Sequence, residues 1–192
     1  MNRSRGRPRL PATETNILAA AYAELEARGY RGFSMEGVAR RAGASKATIY
    51  RRWRSTGDLL LESLARQTAR SIPLVNSGNL EADLKALLVS SFKRLNTRTA
   101  NLIRSLMAEA QVDEAFKAKF RETFIMTRRA GVRSLLEAAI NRGELPTTID
   151  REFIIDVIYG VVWYRLLISH APLDERCATQ LVDLVSTSSN TQ

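Results

Sequence analysis

Lys46, Thr48, Tyr50, Arg51 and Arg52 fall within seven consecutive positions and bring three positive charges and two hydroxyls together. Ammonium and guanidinium groups neutralise phosphates, and a guanidinium can grip a guanine edge through two parallel hydrogen bonds; hydroxyls reach phosphate oxygens. Ser45 stands just ahead of them, where its side chain would cap a short helix and leave backbone N–H groups facing an anion. Each of these residues alone reads as ordinary solvated surface. Their combination points to a nucleic acid.

Other chemistry has little to work with. His170 is the only histidine, so a histidine metal cluster or a Ser/His/Asp site has little to work with, and no catalytic residue, metal or cofactor is expected. Near Pro172 at a helix end, its expected job is to cap the last carbonyls. Cys177 is the only cysteine and reads as a packing residue; a chain that cannot form an internal disulfide suits a reducing cytosol. The opening MNRSRGRPRLP has no apolar stretch behind its basic residues, so it is not a secretory leader. The longest apolar run, 157–164, is far shorter than the ~20 residues needed to cross a bilayer. A soluble, cytoplasmic protein without enzymatic activity is expected.

The 192-residue chain carries a net charge of +9, and its placement is informative. Residues 1–54 hold 12 Lys/Arg against 4 Asp/Glu, whereas the remainder is nearly balanced, with 17 against 16. Such asymmetry implies a polyanionic partner for the first quarter of the chain. At its start Arg3, Arg5, Arg7 and Arg9 alternate with small or rigid residues, and Pro8 and Pro11 forbid a helix, so residues 1–11 read as an extended basic arm.

Behind the arm the pattern becomes helical, and residues 12–71 read as a first domain. Ile17, Leu18, Ala21, Tyr22 and Leu25 share one face of a helix that Gly29 closes. Ser34 is placed to cap a second helix, 35–42, ended by Gly43, and Ser45 to cap a third reaching about Trp53. A fourth follows the STGD break at 55–58. The stretch 72–79, with Pro73, Ser77 and Gly78, reads as a boundary. A second domain, 80–186, carries helices near 80–96, 99–111, 113–142, 150–170 and 174–186, and 187–192 reads as a disordered tail.

Two short helices joined by a tight Gly-containing turn form the general helix-turn-helix unit. Val38 and Ala39 can pack inward, AGA at 42–44 permits close approach, and Ile49 and Trp53 can anchor the second helix. Lys46, Ala47, Thr48, Tyr50, Arg51 and Arg52 then face outward. The stretch FSMEGVARRAGASKATIYRRW, preceded by ARGY and followed by GDLLLESL, resembles the DNA-binding domain of the TetR family over residues 12–70. That resemblance implies an all-α homodimer, with a helix-turn-helix domain joined to a helical bundle for ligand binding and dimerisation. Its two recognition helices would enter successive major grooves of a palindromic operator in double-stranded DNA. It further implies that Lys46, Ala47 and Arg51 face base edges, that Ser45, Thr48, Tyr50 and Arg52 serve the backbone, and that Ser34 touches or caps near a phosphate. Thr56 departs from the pattern, because many members carry a Lys there for a phosphate, which leaves Arg52 or Arg54 to replace it. Ala44 stands where Val is common and loosens packing slightly. The RGRPR segment containing Arg5, Arg7 and Arg9 resembles the minor-groove clamp of AT-hook peptides; the plainer reading is a basic tail giving nonspecific attraction.

The helix near 150–170 is apolar almost all round, so it must be covered on both sides. Phe153, Val157, Val161 and Tyr164, with Leu181, Leu184 and Val185 from the next helix, are candidates for a two-fold contact that builds a four-helix bundle; burial within one monomer is the alternative. The segment RRAGVRSLLEAAINRGEL followed by WYRLL is similar to the C-terminal domain of one TetR subgroup. Phe92, Met107, Phe116, Phe120, Phe124 and Trp163 could line a cavity for an apolar or amphipathic effector, or could simply be core. The expected function is a ligand-responsive repressor. A DNA-binding regulator without an effector, whether constitutive repressor or activator, is the alternative, and a basic membrane-surface protein is disfavoured because no apolar face opposes the N-terminal charges.

Overall fold

The computed structural model describes residues 13–69, 77–95 and 97–187, and every regular element among them is helical. The chain separates into two compact units, 1–67 and 68–192. The division falls inside the last turn of a helix.

The first unit is built from α1 (Glu14–Gly32), α2 (Met35–Ala42), α3 (Lys46–Tyr50) and most of α4 (Thr56–Ala69). Ile17, Leu18, Ala21 and Leu25 bury the predicted face of α1, and Thr13 caps it by accepting from Asn16 N–H. Gly29 does interrupt the helical backbone, at φ 67° and ψ 176°, but one more turn follows before the chain leaves at Phe33. The core joins Ile17, Leu18, Ala21, Met35, Val38, Ala39, Ile49, Trp53 and Leu59. Ser55 and Asp58 cap α4 reciprocally: Ser55 Oγ accepts from Asp58 N–H at 3.0 Å, and an Asp58 oxygen accepts from Ser55 N–H at 3.3 Å. Ser63 is buried on α4 and satisfies its hydroxyl by donating to Leu18 O at 3.0 Å.

A buried carboxylate locks α1 to α2. Glu24 is wholly enclosed, accepts from Arg41 Nε at 2.5 Å, and has Arg28 Nε 3.1 Å from its other oxygen. The carboxylate occupies the space over Gly37, where a Cβ would stand 2.0 Å from Glu24 Oε1. Position 37 therefore admits only a glycine unless Glu24 moves.

The second unit contains α5 (Leu80–Arg94), α6 (Thr97–Val112), α7 (Glu114–Phe120), α8 (Thr127–Arg142), α9 (Arg151–Ile168) and α10 (Glu175–Thr187). The run expected as one helix over 113–142 is a continuous helical path whose middle, Arg121–Met126, is a π-helical turn between α7 and α8. Leu80, Leu84 and Leu88 of α5 meet Val132, Leu135 and Leu136 of α8, Ile155 and Ile158 of α9 and Val182 of α10 in the main core. On the surface Arg129 bridges Glu152 and Asp156, and Arg133 reaches Glu152 at 2.6 Å, clamping α8 to α9. The two guanidiniums hold the Glu152 carboxyl down at about 2. The C-terminus of α9 is capped from α6: Arg104 donates to Leu166 O at 2.7 Å and to Ser169 Oγ at 2.8 Å, and Ser169 takes the left-handed conformation. The capping expected of His170 is thus done by Arg104, while the exposed His170 ring rests against Tyr164 at 4.5 Å. Cys177 is buried in the core, which raises its thiol pKa. No helix of the described residues is long and apolar enough to cross a membrane.

Candidate nucleic-acid interface

The turn between α2 and α3 is set by two caps. Gly43 ends α2 in the left-handed conformation, φ 65°, which a Cβ would disfavour, and Ala44 N–H closes back onto Ala39 O at 3.0 Å. Ser45 then caps α3, accepting from Thr48 N–H at 3.1 Å, with the Ser45 and Thr48 hydroxyls 2.9 Å apart. Ser34 caps α2 in the same way, accepting from Gly37 N–H at 3.0 Å. Both serines stand at the surface.

Ile49 and Trp53 anchor α3, as their types suggest, for neither leaves any surface exposed. Trp53 also satisfies its indole N–H by donating to Glu62 Oε2 of α4 at 2.9 Å. With that side fastened, Lys46, Ala47, Tyr50, Arg51 and Arg52 are exposed and Thr48 is half-buried. The helix ends at Tyr50, short of the expected Trp53, because the chain turns there to bury Trp53; Lys46, Ala47, Thr48 and Tyr50 of α3 and Arg51 and Arg52 in the turn that follows all lie on the free side or its edge.

Their charges are not equivalent. Lys46 Nζ is 3.1 Å from Glu36 of α2. Arg52 pairs with Glu14 of α1 at 2.6 Å and lies 5.6 Å above the Trp53 ring. Arg51 has no ion-pair partner among the described residues, and Arg54 beside it is likewise exposed without one. Thr48, Arg51, Arg52, Trp53, Glu14 and Ile17 border a shallow open recess next to α3. Arg5, Arg7 and Arg9 lie outside the described residues.

The candidate effector residues do not all come together. Phe116, Phe120 and Phe124 form a ladder, with successive ring centres 6.4 and 5.3 Å apart, and Trp163 meets Phe120 edge-on at 6.3 Å. Phe92 instead packs into the main aliphatic core, and half-buried Met107 accepts a contact from Gln111. Of the expected dimer residues, Leu181 and Val185 are buried in the unit's own core, because α10 turns that face to α5. Phe153, Tyr164 and Leu184 remain exposed, and Val157 and Val161 are half-buried.

A cationic helix held out from a three-helix core by a capped turn is the anatomy of a helix-turn-helix DNA-binding protein. Two family descriptions match the chain: bacterial regulatory proteins of the tetR family over residues 17–63, and the tetracyclin repressor-like C-terminal domain over 74–185. The uncharacterized HTH-type transcriptional regulator YdeS of Bacillus subtilis is 33% identical, the match covering 95% of this chain and 92% of that one. The DNA-binding transcriptional repressor TetR of Mycobacteroides abscessus is 31% identical, covering 87% and 88%. Among solved structures, the TetR family transcription regulator SCO0332 superposes with a TM-score of 0.83 at 27% identity, covering 91% of this chain and 96% of that one. The chain belongs to the TetR family of DNA-binding transcriptional regulators.

Proposed function

We propose that this regulator is a dimeric, ligand-responsive repressor whose α3 enters the major groove of a palindromic operator. The observation that carries the reading is the exposed guanidinium of Arg51, without an ion-pair partner among the described residues, at the end of a helix whose opposite side is fastened by Ile49 and Trp53. Arg51 reads a base edge, with Lys46 and Ala47 beside it; Ser34, Ser45, Thr48 and Tyr50 contact the sugar–phosphate backbone. Arg52 is engaged with Glu14, so Arg54 takes the phosphate contact that many members make with a Lys at the position of Thr56. The basic arm, through Arg5, Arg7 and Arg9, adds a minor-groove contact.

Dimerisation is supported by one face of α9. Phe153, Val157, Gly160, Tyr164 and Leu167 recur at alternating steps of four and three residues, the spacing by which a helix packs along a partner helix. Phe153, Gly160, Tyr164 and Leu167 are exposed, and the space above Gly160 is empty, which suits close approach of a second copy. Two recognition helices must then sit about 34–36 Å apart to fit half-sites one turn apart. An effector held in the second unit, acting through α4, changes that separation and abolishes simultaneous docking. Repression follows the relative from Mycobacteroides abscessus described as a repressor.

Footprinting the purified protein on the DNA flanking its own gene is the direct test. A protected, two-fold symmetric site is expected, and a protein that protects no sequence in preference to bulk DNA would overturn the reading.

A further inference from the structure

Arginines on the face of α8 next to α9 are matched to carboxylates: Arg129 to Glu152 and Asp156, Arg133 to Glu152. Arg128 is not. Its Nη2 donates to Thr68 Oγ1 at 3.1 Å, its Nη1 makes a long contact to Phe124 O at 3.4 Å, and its Cζ lies 3.4 Å from the centre of the Phe124 ring. None of these partners is an anion. Residues 1–12, 70–76, 96 and 188–192, which lie outside the described set, contain no Asp or Glu, so no side-chain carboxylate is hidden there. The side chain is largely enclosed, which brings its pKa down to about 10, yet part of it stays open to solvent. At neutral pH it is charged. A charge removed from water without a counterion is unfavourable and is normally paired.

The surroundings have a second, apolar half. From Phe124 the rings continue through Phe120 to Phe116, with Trp163 of α9 edge-on against Phe120. The π-helical turn Arg121–Met126 carries Phe124, the ring under Arg128, and π-turns inside α-helices are rare and concentrated at functional sites. Tyr159 of α9 donates its hydroxyl to Arg128 O at 3.0 Å, which fixes the backbone beneath the guanidinium. The three phenylalanine rings are buried, so an apolar body taken up beside them would part contacts of this cluster; one positioned cation at the end of that aromatic cluster is the complement of a molecule with one anionic group and an apolar body.

We infer that Arg128 is the anion-reading residue of the effector site and takes the carboxylate of an apolar monoanion whose body lies along Phe124, Phe120 and Trp163. This rests on the ligand-responsive reading above and names the chemical class of the effector. On binding, the carboxylate replaces the Thr68 hydroxyl as the partner of Nη2, with the two-pronged geometry a guanidinium prefers. Thr68 lies in the last turn of α4, so the exchange acts on that helix directly.

The test pairs each acid with its neutral counterpart on the full chain: dodecanoate with 1-dodecanol, and 2-naphthoate with 2-naphthalenemethanol, all below any micellar concentration. Equilibrium dialysis is expected to show at least one carboxylate bound at least tenfold more tightly than its alcohol. Arg128→Met is expected to erase that preference while leaving alcohol binding in place. Should Arg128→Met not fold, Arg128→Lys, which keeps the charge but loses the fork, is expected to cut the preference at least threefold. Equal affinity for acid and alcohol, a preference that survives both variants, or no binding by either acid overturns the proposal. Operator binding separates it from the reading beneath: alcohols that bind as well as the acids and release DNA leave an effector-responsive repressor without this role for Arg128. Acids that bind through Arg128 without altering DNA affinity uphold the site and remove the effector function.

Discussion

The three cations of the α3 stretch look alike in a sequence and differ in the fold. Lys46 and Arg52 answer to Glu36 and Glu14, whereas Arg51 is exposed and has no ion-pair partner among the described residues. Replacing Arg51 by Ala is therefore expected to cost about 1–3 kcal/mol of discrimination between operator and mutated operator, as for loss of a two-pronged base contact. Competition binding on both DNAs would show it; equal weakening on every sequence would assign Arg51 to the phosphates instead. The type of each cation was legible in the sequence. Its pairing was not, because Glu14 and Arg52 are far apart along the chain and meet only when α1 packs beside α3. The same blindness hid Glu24, which occupies a polar step of α1 and gave no sign of being buried over Gly37. Gly37→Ala improves helix propensity by about 1 kcal/mol, but it drives a methyl group into a fixed carboxylate. Such overpacking typically costs about 1–3 kcal/mol, so chemical denaturation should find the variant no more stable than the parent and, where Glu24 cannot shift, clearly less stable. A clear gain in stability would mean that the carboxylate swings away freely.

Among elements, those with strong periodicity and explicit caps were read closely: α2 between Ser34 and Gly43, the buried face of α1, and the apolar α9. The π-turn at Arg121–Met126 was not legible, since it adds no residue type that a regular helix would refuse. Nor was the division of α10, whose Leu181 and Val185 turn inward while Leu184 turns out, because amphipathic spacing does not say which neighbour covers which face. The α8–α9 clamp has a pH signature. Glu152 is held near 2 by Arg133 and Arg129, well below its ordinary 4.5, so its contribution to stability is complete above 4.5 and fades as pH falls toward 2. Thermal melts of Glu152→Gln beside the parent are expected to differ by a constant amount from pH 7 down to about 4.5 and to converge near pH 2. A gap that ignores pH would show that the clamp acts through packing alone.

For the molecule as a whole, the charge asymmetry and the all-helical plan could be taken from the sequence, and the exposed stripe of α9 is the face assigned to the second copy in the proposed dimer. Tyr164→Glu places a charge in the middle of that stripe. Light scattering is expected to show a monomer, with operator affinity reduced by about 10²-fold or more as avidity is lost; an intact dimer would move the interface elsewhere. Glu14 and Glu36 have a further consequence at this scale. They are resident counterions, carried by the polypeptide itself, and they discount the attraction that α3 offers to any stretch of duplex. In the proposed mode of binding the helix is thus less adhesive than its composition suggests, and a sequence that rewards Arg51 repays the opening of those bridges. Glu36→Gln should accordingly tighten binding to random DNA and steepen its dependence on salt, by up to about 0.9 in the log–log slope for one added phosphate contact, leaving the regulator adhering across the genome and slower to find its own site.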